Sequence, residues 1–201
     1  MNGKLVYGVG VYTKGKHKAA ENGRHTKAYS AWIGMLMRCY DNDFHLRQPT
    51  YVGCRVCNEW LDFQKFATWY HANYPQGEES CELDKDLKIS GNKFYSPRAC
   101  LIVSRVVNSF TKDRRAARGD CPIGVSWNKQ NKKFRAHCRN TLAKKLEHLG
   151  YFTDDLSAHL AWRKRKSELA YELAMTQTNP EVRDALLRWK DALDNNEIHT
   201  M

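Results

Sequence analysis

The chain has no apolar run near the roughly 18 residues that a membrane-spanning helix needs, which argues against a helical membrane protein. Its first residues, MNGKLVYGVGVY, lack the charged start and apolar core of a secretory signal. It has no long internal repeat and no low-complexity tract, so neither a solenoid nor a fibrous chain is expected. It is short of acid: 22 Asp and Glu stand against 33 Lys and Arg. Its seven cysteines are an odd number, which fits poorly with a closed disulfide set. Without a signal sequence, they point to free thiols in a reducing compartment, so a cytoplasmic location is expected.

What is present suffices for real cores. A chain of 201 residues with 42% hydrophobic and 11% aromatic residues can hold one large or two small domains. The formal charge is +11, and it is concentrated. Between Thr111 and Met175 there are 15 basic and 7 acidic residues, a surplus of 8 in about a third of the chain. Clustered positive charge attracts phosphate regardless of sequence.

Residues 1–28 are rich in Gly, Lys and Asn and show little periodicity, so a basic, loosely structured lead-in is expected. Tyr29 to Tyr40 predicts a helix with Ser30 as N-cap and Trp32, Met35, Leu36 and Cys39 on its core stripe. Glu59 to Asn73 predicts another, with Trp60, Phe63, Phe66, Ala67 and Tyr70 on one face and Pro75 as its stop. A strand near 82–87, the SGNKFYSP loop, a second strand near 99–103 and a helix from about Ser104 follow. The turn-rich 117–124 marks a domain boundary. Pro180 opens a terminal helix, 181–194, whose stripe of Val182, Ala185, Leu186, Trp189 and Leu193 either docks on the body or meets a second copy or another protein.

Gly124 to Ala174 reads as three short strands and a helix. In NKKFRAHCRN, Lys133, Arg135, His137 and Arg139 fall on one strand face and Phe134, Ala136 and Cys138 on the other. One face packs on the helix; the other is basic and open, suited to a DNA groove. The third strand, KKLEHLG, alternates imperfectly, because Glu147 shares the parity of Leu149, and a bulge or a shifted register is expected there.

On GVSW, NKKFRAHCR, LGYF and the following helix with Ala158, Ala161 and Trp162, residues 122–174 resemble the ethylene-response-factor (APETALA-type) DNA-binding domain. That domain also occurs in phage and bacterial homing-endonuclease-like proteins. The resemblance implies a three-stranded sheet in the major groove, with Ser126, Arg135, His137, Arg139 and His148 facing double-stranded DNA and Trp127 and Lys129 beside them. Lys132, Lys133, Lys144 and Lys145 are the expected phosphate contacts. The family often has Arg, Glu and Trp where this chain has Ser126, His137 and His148, so a different sequence preference is implied.

Residues 29–110 carry AWIGMLMRCY, YVGCRVCNEWLDFQKF and ELDKDLKISGNKFYSPRACLIVSRVVN, and they resemble phage HNH-type nucleases. The resemblance implies a strand–strand–helix fold holding one divalent cation, with magnesium as cofactor in a cutting enzyme. Asp84 and Asn108 are the implied ligands, with Asp86 as an alternative. The Asp-His pair of the family reads Asp84-Lys85 here, and a protonated lysine is a poor general base. A degenerate module is therefore expected, with an active nicking or homing endonuclease as the alternative.

The cysteines allow one further site. Cys54-x-x-Cys57 has zinc-ligand spacing, and Cys81 and Cys100 would complete four thiolates, although buried free cysteines serve equally as small core residues.

The expected class is α+β. A basic lead-in (1–28) precedes a degenerate HNH-like ββα domain with flanking helices (29–116). A small three-stranded antiparallel sheet packed on one helix (117–178) and a C-terminal helix (179–201) complete the chain. The expected partner is double-stranded DNA, bound without a cofactor in the cytosol of the host if the chain is phage-encoded. A homodimer or a protein partner held through the C-terminal helix, including a host factor that the chain inhibits, is the remaining option.

Overall fold

The computed structural model describes residues 5–77, 80–111 and 120–195 of an α+β chain. It divides into two compact units, Met1–Ser104 and Arg105–Met201. The expected hinge at 117–124 lies partly outside the described residues. The contact boundary falls after Ser104, which groups the helix at 105–111 with the second unit. Among the described residues no helix is long and apolar enough to cross a membrane.

The first unit begins with a short hairpin, β1 (Ala20–Glu21) and β2 (Arg24–His25), then α1 (Lys27–Tyr40) and α2 (Asn42–Arg47). The short β3 (Arg55–Val56) precedes a 3-10 turn at Asn58–Leu61 and α3 (Phe63–Asn73). β4 (Cys81–Asp84), β5 (Phe94–Tyr95) and β6 (Leu101–Ser104) complete it. β4 and β6 pair antiparallel, with Cys81 opposite Ser104 and Asp84 opposite Leu101; β3 and β5 pair parallel. The core lies between α1 and α3, where Trp32, Met35, Leu36, Trp60, Phe63 and Phe66 are fully buried. The Trp32 indole N–H donates to the Trp60 carbonyl at 2.7 Å, which satisfies that donor in a dry interior.

Three expectations for this unit are corrected. The N-cap of α1 is Thr26, whose hydroxyl accepts from the Tyr29 N–H, not Ser30. α3 starts at Phe63 under an Asp62 cap, because residues 58–61 form the tighter turn first. The described part of the lead-in is not loose. Val11 bonds on both sides of its peptide, its N–H to Leu61 and its carbonyl to the Phe63 N–H. The Gln64 amide clasps Thr13 and His17 through their carbonyls. Gly10 makes the approach possible, since a Cβ there would sit 2.4 Å from Leu36 Cδ1.

The second unit opens with α4 (Arg105–Thr111). β7 (Val125–Asn128), β8 (Lys133–Asn140) and β9 (Lys145–Phe152) then form an antiparallel sheet in chain order. α5 (Asp155–Met175) lies across the sheet, and α6 (Pro180–Asp194) packs along α5. Val125, Ala136 and Ala158 form the sheet–helix core, with Phe134, Leu149 and Phe152 against it. The stripe of α6 is covered: Val182, Ala185, Leu186 and Leu193 are buried, and Trp189 meets the Phe110 ring at 5.4 Å. Of the uses foreseen for that stripe, the described residues adopt docking on the body.

Candidate nucleic-acid interface

The sheet has two chemically distinct faces. Cross-strand register puts Ser126 opposite Arg135 and Arg135 opposite Tyr151. His137 faces His148, and Arg139 faces Leu146. These residues share one side, while Val125, Phe134, Ala136 and Cys138 turn toward α5. Arg135 donates to the Ser126 hydroxyl at 3.3 Å, which steers the guanidinium along the open face. Arg135, Arg139 and His148 are exposed. Burial and the neighbouring Arg135 charge lower the pKa of His137, so its imidazole is neutral at physiological pH.

The bulge expected in the third strand lies between the Ala136 and His137 pairings, where β9 has one extra residue, Leu149. It lets Leu149 pack into the core while His148 stays on the open face. Glu147 then falls on the α5 side, opposite Cys138. There it accepts from Arg165 Nε at 2.7 Å and from the Asn140 amide at 2.8 Å. These bonds pull its carboxyl down to about 2.

The four expected phosphate contacts, and Lys129 beside them, sit at the sheet margin. Lys129 and Lys132 belong to the β7–β8 turn, Lys144 to the β8–β9 turn, and Lys133 and Lys145 begin their strands; all five are exposed. Lys132 and Lys144 hold φ of 47° and 54°, the left-handed geometry of tight turns. Lys145 opposes the buried Asn140 and so belongs to the α5-facing row. Trp127 opposes Phe134 in the same row, with its ring 4.8 Å away, yet it remains 46% exposed at the sheet edge.

The run WRKRK (162–166), which the sequence allows equally as a solvated helix face or as phosphate contacts, is not uniform. Arg165 pairs with Glu147, Glu168 and Glu172. Lys166 is buried, donates to the Phe110 carbonyl at 2.7 Å and lies 3.4 Å from the Phe110 ring centroid. Burial lowers its pKa to about 8.

In the first unit, the strand–loop–strand segment holds the Asp84-Lys85 pair. The Lys85 ammonium is 8% exposed and has an acceptor for each of its protons: Asp86 Oδ1 at 2.6 Å, Asp86 Oδ2 at 2.7 Å and the Asn92 carbonyl at 2.7 Å. Asp84 Oδ1 accepts the backbone N–H groups of Asp86 and Leu87 at 2.8 and 2.7 Å. Its pKa is raised, chiefly by burial. Asn108, buried on α4, belongs to the second unit. His45 contacts the Arg38 carbonyl, and His71 stacks on His17.

Among the described residues no group of three or more His, Cys, Asp or Glu side chains is placed to hold a metal. Cys54 and Cys100 are buried, and Cys57 and Cys81 are partly so. Burial pushes the Cys100 thiol up to about 12 and raises that of Cys57, which disfavours the thiolates that zinc requires.

Sequence reasoning missed Tyr151 and Leu146 on the open face, where they are 42% and 58% exposed. The bulge hides the parity of Tyr151, whereas Leu146 shares that of His148. It also missed the Glu147–Arg165 link, for which the misplaced acid in an alternating strand was the available signal. No family model matches the chain, and no curated protein or solved structure matches it significantly.

Proposed function

We propose that the chain binds double-stranded DNA and reads the major groove with the open face of β7–β9. The supporting observation is the alignment of Arg135, His137 and Arg139 on one side of a sheet whose other side is closed by α5. A two- or three-stranded ribbon fits the major groove, and an arginine fork matches the acceptors of guanine. Lys129, Lys132, Lys133 and Lys144 rim this face and supply phosphate affinity, whereas Lys145 falls in the α5-facing row. Binding needs no cofactor.

In the same reading the ββα-ordered segment does not cut. A general base needs a free lone pair facing the water, and the Lys85 nitrogen is instead engaged as donor to three acceptors. Magnesium fits poorly here as well. Both Asp86 oxygens are taken by the Lys85 nitrogen, one Asp84 oxygen is taken by backbone, and the buried lysine bonded to Asp86 repels a second cation.

Supercoiled plasmid is incubated with protein and magnesium, then split into native and protein-stripped halves before electrophoresis. Retardation that disappears on stripping is expected. Open circles in the stripped half would establish nicking and overturn the non-cutting reading. Arg135→Ala with Arg139→Ala should weaken binding to a selected site by about 10²-fold or more, since each base-reading arginine contributes about 1–3 kcal/mol. Lys65→Ala, on the exposed side of α3, should leave it unchanged. Equal small losses from both would remove the sheet as the reading face.

A further inference from the structure

α1 carries a polar face at helical spacing: Lys27, Ser30, Gly34 and Arg38. Together with β4 and the C-terminal end of α3 it walls a cleft of about 380 Å³ inside the first unit. Lys27 and Arg38 bring positive charge to this cleft, His25 adds an imidazole, Tyr70 and Tyr74 flank it, and Glu82 is the acid among the described lining residues.

Arg38 is the informative member. Its Nε donates to the Tyr95 hydroxyl at 3.1 Å, and its guanidinium lies 5.8 Å from that ring centroid. Among the described residues no carboxylate is paired with it. A guanidinium has five N–H donors, and withdrawing it from water is costly unless they are met. The Lys27 ammonium reaches the Tyr74 hydroxyl at 3.4 Å and lies 5.3 Å from its ring centroid, so cation and aromatic wall are held together.

We infer that this cleft binds a phosphate monoester of nucleotide size, with the Arg38 fork on the phosphate, Lys27 adding charge, His25 offering a ring N–H, and the two tyrosines flanking the organic part. A doubly charged phosphate matches several cations, and planar arginine suits it bidentately. The volume lies at the small end of small-molecule sites and is far too small for a duplex. The site is separate from the sheet face and does not rest on the DNA reading.

The test is calorimetric titration of the full chain with thymidine 5′-monophosphate, inorganic phosphate, and a tetranucleotide with or without a 5′-phosphate. Wild type should bind the mononucleotide. Arg38→Gln should weaken it at least about tenfold, the loss of one charge-assisted hydrogen bond. Ser30→Trp, which fills the cleft from an exposed residue of its lining, should do the same and decides the matter if the arginine variant does not fold. Arg135→Ala with Arg139→Ala should bind the mononucleotide as wild type does. Preference for the 5′-phosphorylated tetranucleotide over the hydroxyl form would identify a strand end as the source of the monoester; binding of the mononucleotide alone would identify a free nucleotide. No binding by wild type, or binding that survives both cleft variants, overturns the site.

Discussion

Glu147 shows how one side chain decides the order of a strand. Taken by alternation alone, an acid beside Leu149 is an error in the pattern. With the bulge in place it faces α5 and joins Arg165, Asn140 and the β8–β9 hairpin in one bonded group. Its carboxyl falls from an ordinary 4.5 to about 2. A group depressed on folding adds stability that is fully present above the ordinary pKa and is lost as pH falls through the folded one. The second unit should therefore lose this contribution between about pH 4.5 and pH 2. Glu147→Gln should cost about 1 kcal/mol at pH 7, because the pair is shielded yet reaches the surface. Urea unfolding at stepped pH checks this: the gap between wild type and variant should close as the acid limb is descended, and a gap that stays constant to pH 2 would show that the ion pair is not its origin. Lys166 teaches the same lesson about charge runs. Nothing in WRKRK marks its fourth cation as buried, because the aromatic surroundings, Phe110 and Trp189, come from elements more than 20 residues away on either side in the chain.

At the scale of elements, legibility followed local signal. The stripes of α1 and α3 and the strand–loop–strand–helix order of 81–111 were readable because apolar period and turn residues are local properties. The threading of residues 5–25 was not, since it depends on long-range bonds from Leu61, Phe63 and Gln64 to a segment without periodicity. The α4 boundary was also hidden, as its burial is set by residues of α5 and α6. Gly124 tests how β7 seats on α5. It holds φ of 79°, and a Cβ there would fall 2.1 Å from the Trp162 ring. Gly124→Ala combines a left-handed backbone with a direct clash, so a loss of about 3 kcal/mol or more is expected in the second unit. Circular dichroism with chemical denaturation should register it, and DNA binding should fall in proportion to the unfolded fraction. A variant of unchanged midpoint would mean that Trp162 yields without cost, and the sheet–helix contact would have to be softer than its geometry implies.

For the whole molecule, charge is divided unequally. The first unit has 14 basic and 10 acidic residues, the second 19 and 12, so the larger surplus lies with the sheet. Within the second unit several cations are already engaged inside the fold, notably Arg165 with three glutamates and Lys166 beneath two rings. Net charge therefore overstates what a polyanion meets; the exposed turn lysines and the open-face arginines are the fairer measure. That distinction predicts a specific salt response. Binding to duplex DNA weakens with the logarithm of salt with a slope of about −0.9 for each phosphate neutralised. Lys132→Ala with Lys144→Ala removes one cation from each hairpin turn and should reduce the slope by about 2, while the ranking of DNA sequences stays the same. Arg135→Ala with Arg139→Ala should instead flatten the ranking. Fluorescence anisotropy at several salt concentrations, on a selected site and on a scrambled one, separates the two. If the turn lysines changed the ranking and the strand arginines only the slope, the assignment of rim to phosphate and face to bases would be reversed.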